Sequence, residues 1–227
     1  MERHFDVEMK QLKERLLYMG DLADKMIHYA IQGLVERNPE LFKEVEKREK
    51  EINFLHIEID DRCIRLLALS QPMAADLRFI TAGMKINSEL ERIGDLAINI
   101  TQNGTEYLKE VQLKPLIDIP HMAQITQKML EDGLDSFVNK DTQLAKSILL
   151  RDDDVDGLRD QLFRELLTFM ISDPATIKRA LTLILIARNL ERIGDHATNI
   201  AEDVIFMVLG KDVRHHVEEK EVTSASG

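Results

Sequence analysis

The chain has 227 residues, 44% hydrophobic and 31% charged, with no Trp, 5 Pro and 10 Gly. That sparse turn punctuation points to long amphipathic helices and argues against a sandwich or barrel. Acids outnumber bases 41 to 30, for a formal net charge of -11, which argues against direct nucleic-acid binding, since that normally needs a basic footprint to displace counterions.

The first residues, Met1-Glu2-Arg3-His4-Phe5-Asp6, mix charges and lack the apolar stretch of a secretory signal, so no export is expected. The first helix is predicted over about residues 2–36. Asn38-Pro39 then supplies a cap and a first-turn proline for a second helix ending near Ser70. Cys63, the sole cysteine, falls on the apolar stripe of that helix, as a small buried inert thiol in a reducing cytoplasm would. Pro72 opens a third helix that runs to about Asn103-Gly104 and raggedly on to Glu110. Lys114-Pro115 and Ile119-Pro120 mark the one obvious linker, so the chain is divided there into residues 1–113 and 114–210. A fourth helix is predicted over about residues 120–139, a fifth, capped by Asp141, reaches Ile171, and Asp173-Pro174 starts a sixth that ends at Gly210. Within the sixth, ALTLILIA (residues 180–187) is far shorter than the roughly 20 apolar residues needed to cross a bilayer. The tail, residues 211–227, is charged and then small and polar, and is expected to fray.

Three helices on each side of a linker invite a search for a repeat. Leu90-Glu91-Arg92-Ile93-Gly94-Asp95 recurs as Leu190-Glu191-Arg192-Ile193-Gly194-Asp195, and Ala97, Asn99 and Ile100 recur as Ala197, Asn199 and Ile200. With a slightly larger offset, Asn38 pairs with Asp141, Leu41 with Leu144 and Arg48 with Arg151. The third helix carries Phe79, Gly83, Ile86, Leu90, Ile93, Ala97 and Ile100 at the alternating four and three spacing of a bundle seam. The sixth repeats the pattern from Leu183 to Met207. Small Gly83, Ala97 and Ala197 on the seam permit close helix approach. Two duplicated three-helix bundles follow, their rods on the order of 45 Å long.

The repeated segment carries Glu91 with Asp95 and Glu191 with Asp195, each pair stacked on one helix face but well off the seam. Like charges at this spacing cost a helix a few tenths of a kcal/mol unless neutralised, and a multivalent cation would neutralise them. Ordinary solvated acids balanced by Arg92, Arg192 and Arg188 are the alternative. Against that stand the duplication itself and Gly94 and Gly194, helix-interior glycines that cost about 1 kcal/mol each and suggest close approach of another group. Asp152 and Asp156 repeat the spacing on the fifth helix, and Glu49 and Asn53 hold the equivalent positions on the second. Sulfur-free oxygen ligands of this kind favour Mg, Ca, Mn or Fe. His196 has Leu96 as its repeat partner and is read as a surface residue, as are His215 and His216. The sequence contains no phosphate-binding Gly-rich loop, nucleophile elbow, HExxH or CxxC, and so offers no address for enzymatic chemistry.

The whole chain resembles the PhoU-type phosphate-signalling regulators of bacteria. The resemblance rests on the twin Leu-Glu-Arg-Ile-Gly-Asp segments, on Gln71-Pro72-Met73-Ala74-Ala75-Asp76-Leu77-Arg78, and on Gly210-Lys211-Asp212-Val213-Arg214-His215. It implies tandem three-helix bundles with an acidic motif on two helices of each, binding metal ions in some members, with Fe, Mn, Mg or Zn as candidates. By position the motif falls on Glu91 and Asp95, Glu191 and Asp195, and Asp152 and Asp156, with Glu49 and Asn53 as the fourth element. Asn53 is neutral, so a weaker first site is expected. Asp76 is read as helix-start chemistry rather than a partner contact. The resemblance further implies a non-enzymatic negative regulator of phosphate uptake and the starvation response, cytoplasmic, peripheral to the membrane, contacting a phosphate ABC transporter ATPase subunit and a sensor histidine kinase, and homodimeric. A carboxylate-bridged iron- or manganese-handling bundle is the alternative, but that class needs Glu-x-x-His pairs beside the acids, and neither half has one. A purely structural helical spacer would bind no metal.

Overall fold

A computed structural model describes residues 4–210. Met1–Arg3 and residues 211–227, including His215, His216 and most of the Gly210–His215 segment, lie outside the described residues. The described chain is all-helical: α1 His4–Val35, α2 Glu40–Ser70, α3 Ala74–Leu108, α4 Asp118–Asn139, α5 Thr142–Leu149, α6 Asp152–Ser172 and α7 Ile177–Leu209, with a 3-10 turn at Pro174–Thr176 before the last. Helices α1, α2 and α3 pack on one another, and α7 packs on α4, α5 and α6.

The ends follow local chemistry. Asn38 Oδ1 accepts the Glu40 N–H at 3.1 Å, and Asp141 Oδ1 accepts those of Gln143 and Leu144 at 2.9 and 3.0 Å, side-chain caps that satisfy orphan donors of the first turn. Gly210 ends α7 in the left-handed region at φ 66° and donates its N–H to Phe206 O.

The fifth predicted helix is interrupted. At Leu150–Arg151 the ladder tightens, with Arg151 N–H bonded to Ile148 O at 3.0 Å. The chain then restarts as α6 on three successive carboxylates, Asp152, Asp153 and Asp154, which favour a helix N-terminus through the macrodipole. The break also lets Arg151 Nη1 reach buried Asp132 on α4 at 2.6 Å.

Both seams are buried as the spacing predicts: Gly83, Ile86, Leu90, Ile93, Ala97 and Ile100 in α3, and Leu183, Ile186, Leu190, Ile193, Ala197, Ile200, Val204 and Met207 in α7. Phe79, at the head of the first, is half-buried. Each fully buried aliphatic side chain contributes about 1.5–3 kcal/mol relative to exposure. The edge of Phe42 in α2 slots between two glycines. A Cβ on Gly33 of α1 would lie 2.6 Å from its ring, and one on Gly104 of α3 2.7 Å away.

The two bundles lie side by side and share one hydrophobic core. α3 and α7 form the central pair and run antiparallel, since Lys85 meets Asp203 at 2.7 Å while Lys178 meets Glu110 at 2.8 Å. α1 and α4 extend the contact, Phe79 stacks on Phe137 of α4 at 4.8 Å between centroids, and Arg78 Nε donates to Met207 O near the end of α7. Asp76 lies in the first turn of α3, in keeping with a helix-start role.

This arrangement corrects the reading of His196 as a surface histidine. It is 8% exposed, and its Nδ1 donates to Glu89 of α3 at 2.6 Å. The same carboxylate oxygen accepts from Asn199 at 3.0 Å. Burial pushes the Glu89 carboxyl up, but these two hydrogen bonds, together with the charges of His196 and Arg92, outweigh it and hold the group below the usual carboxylate value. The position looks solvated only if each bundle is considered alone. Docking of the second bundle turns that flank inward.

Candidate metal centre

The duplicated segment is environmentally duplicated as well. From Leu90 to Ile100 and from Leu190 to Ile200 every position has the same degree of burial, with Glu91 and Glu191 half-buried and Asp95 and Asp195 exposed. The acids therefore sit on the flank of each bundle, where the helical phase places them.

In the second bundle the four predicted acids form one electrostatic group. Asp152 and Asp156 are one turn apart on α6, facing Glu191 and Asp195 on α7. Partial burial raises the Asp152 carboxyl above its ordinary value, and Asp156, Asp153 and Glu191 add to the shift. Burial likewise raises Glu191, with Asp195 adding and Arg159 opposing. Asp195 is raised by burial and then by Asp152 and Asp156 across the helix pair. Burial is the larger cause in each case, and the neighbouring carboxylates add to it.

The offsetting charge is Arg159, which the sequence reading missed. Its Nη1 lies 2.6 Å from Glu191 Oε1 and 3.0 Å from Asp156 Oδ1, and its Nη2 lies 2.9 Å from Asp160. The bases weighed from sequence behave differently: Arg92 turns to Glu89 at 4.0 Å. Arg159 could have been found by continuing the four and three spacing along α6 from Asp152 through Asp156, which puts all three on one face. Beside Glu191 a hollow of about 350 Å³ opens, walled by Arg159, Phe163, Ile184 and Arg188.

The first bundle is arranged differently. Asn53 Nδ2 donates to Glu49 Oε1 at 3.0 Å, so the amide satisfies its own helix neighbour. No hydrogen bond or ion pair joins Glu49 or Asn53 to Glu91 or Asp95 among the described residues. The glycines diverge too. The open side of Gly194 faces Asp152 Oδ1 at 3.7 Å from a Cβ position, whereas that of Gly94 faces Ile52 Cδ1 at 3.2 Å. In both cases the nearest neighbour is a side chain, and only in the second bundle is it one of the acids. Among the described residues no three His, Cys, Asp or Glu side chains converge closely enough to ligate one ion.

Among the described residues no helix is long and apolar enough to cross a membrane. The family model of the PhoU domain matches this chain twice, over residues 16–103 and 119–204. A phosphate-specific transport system accessory protein PhoU homolog from Aquifex aeolicus is 44% identical over 94% of this chain and 97% of its own length. One of the same description from Pseudomonas aeruginosa is 38% identical over 95% and 89%. The crystal structure of PhoU from Pseudomonas aeruginosa matches at TM-score 0.88 and 37% identity, covering 92% of this chain and 100% of that one. The structure of the phosphate transport system regulatory protein PhoU from Streptococcus pneumoniae matches at TM-score 0.86 and 30% identity, covering 92% and 99%. Two matched domains, near-complete coverage and a shared fold lead to one conclusion: the chain belongs to the PhoU family.

Proposed function

We propose that this chain is a non-enzymatic accessory protein of a phosphate-specific transport system that restrains phosphate uptake and the starvation response when phosphate is plentiful. The observation that carries the proposal is the 44% identity, over nearly the full length of both chains, to a relative described as a phosphate-specific transport system accessory protein. The finer reading is an adaptor, acting as a homodimer at the inner face of the membrane, that contacts the transporter's ATPase subunit and a sensor histidine kinase. Its two repeats are divided at residues 113 and 114, between α3 and α4.

Metal binding at the acidic flanks belongs to the same proposal. Asp152, Asp156, Glu191 and Asp195 would hold ions in the second bundle, and Glu49, Asn53, Glu91 and Asp95 in the first. The donor set suits an oxygen-loving cation such as Mg, Mn or Fe. The second group already draws a cation onto itself, in the form of the Arg159 guanidinium. A bound ion would supply positive charge that ties α6 to α7.

Deleting the gene and measuring a phosphate-regulated reporter tests the regulatory reading. The expected result is loss of repression at high phosphate, restored by the chain in trans; unchanged repression refutes it. Elemental analysis of purified protein against Glu191→Ala/Asp195→Ala tests the metal reading, which equal and negligible metal in both would remove.

A further inference from the structure

The two acidic groups descend from one duplicated unit yet differ in the cation they hold. In the second, a single guanidinium spans two helices, within 3.0 Å of Asp156 on α6 and 2.6 Å of Glu191 on α7. The offset of 103 that relates Asp152 and Asp156 to Glu49 and Asn53 places His56 at the position of Arg159. His56 Nε2 lies 3.7 Å from Asp60, away from the acid pair. Among the described residues no Lys, Arg or His comes within ion-pair distance of Glu49, Glu91 or Asp95. The second group thus has four carboxylates and one guanidinium, which it shares with Asp160, and the first has three carboxylates and an amide.

Resting on the metal-binding reading above, we propose that Arg159 is a tethered counter-cation of the second carboxylate group. It must leave Glu191 Oε1 before a divalent ion can take that oxygen, so cation affinity in the second bundle is set by competition with the chain's own guanidinium. The first bundle has no such competitor.

A guanidinium and a divalent ion cannot share Glu191 Oε1, because two positive charges at ligand distance repel strongly in a half-buried site. Arg159 has somewhere to go. Its Nε and Nη2 are already bonded to Asp160 at 3.1 and 2.9 Å, and the adjoining hollow lies on the side of Phe163 and Ile184. Rotating the head group off Glu191 therefore keeps one acidic partner and enters open space. What is lost is the charge-assisted hydrogen bond to Glu191 and the ion pair with Asp156, which subtracts from the affinity of the entering ion.

The test is calorimetric titration of the full chain with Mn²⁺ in four forms: wild type, Arg159→Gln, Arg159→Lys and Glu191→Ala/Asp195→Ala. Binding removed by the last variant is assigned to the second bundle. Arg159→Gln is expected to tighten that component about tenfold and leave the rest of the isotherm unchanged. Arg159→Lys should fall between, since a lysine keeps the charge but lacks the fork that holds Asp160 while Nη1 meets Asp156 and Glu191. Mn²⁺ electron paramagnetic resonance gives an independent count of bound ions. Binding by Arg159→Gln where the wild type shows none also supports the proposal. Equal or weaker second-site binding in Arg159→Gln, with native helicity retained, overturns the competition while leaving metal binding intact. Absence of saturable Mn²⁺ binding in every form overturns both.

Discussion

Replacing His196 with leucine, the residue found at its repeat partner Leu96, tests how the two bundles are joined. His196 and Glu89 have side-chain exposures of 10% and 13%, and their atoms lie 2.6 Å apart across the α3–α7 interface. In His196→Leu the Glu89 carboxylate keeps only the Asn199 amide at 3.0 Å and the distant Arg92 at 4.0 Å. Losing a hydrogen bond to a charged, nearly buried group costs about 2–3 kcal/mol. Full loss of a buried pair would cost more, but Asn199 remains. Because the bundles share one core, unfolding should occur in a single transition. At about 2–4 °C per kcal/mol for a chain of this size, the midpoint should fall by roughly 4–12 °C. Glu89→Leu/His196→Leu removes the stranded charge and should recover most of the loss. The measurement is urea and thermal unfolding of the four corners of the cycle, with chelator present. A single variant within about 0.5 kcal/mol of wild type, or a double variant no better than the single, refutes the interface assignment.

Three further outcomes are expected. Gly33→Ala should destabilise by about 1–2 kcal/mol, because a Cβ there meets Phe42 Cε1 at 2.6 Å and this overpacking outweighs the gain in helix propensity; a more stable variant in urea unfolding would contradict the packing. Arg151→Ala leaves buried Asp132 with Lys128 at 3.0 Å as its ion-pair partner and should cost about 1–3 kcal/mol, read as a shift of the unfolding midpoint. Cys63 is fully buried and burial pushes its thiol up to about 12, so iodoacetamide at mildly alkaline pH should label unfolded but not native protein; rapid native labelling would refute it.

Much of the molecule is legible because helices announce themselves locally. Prolines and capping acids mark the starts, Gly210 marks an end, and the four and three spacing marks both seams. The same arithmetic puts Glu91, Asp95, Glu191 and Asp195 on the flanks. It was incomplete on α6, where the spacing continues to Arg159, and it could not foresee the interruption at Leu150–Arg151, which serves a contact between Arg151 and Asp132 on another helix.

By itself the sequence determined the helical class, the duplication, the seams and the helical phase of the acids, all properties of residues within a turn or two of one another. Only the tertiary structure decided what each flank faces. His196 and Glu89 are separated by 107 residues and Arg159 and Glu191 by 32, and no periodicity within one helix carries information across such distances. Docking of α3 against α7 made an interface residue of a histidine that looked solvated. Packing of α6 against α7 gave one acidic group a guanidinium that the other lacks, so two halves alike in motif came to differ in their electrostatics.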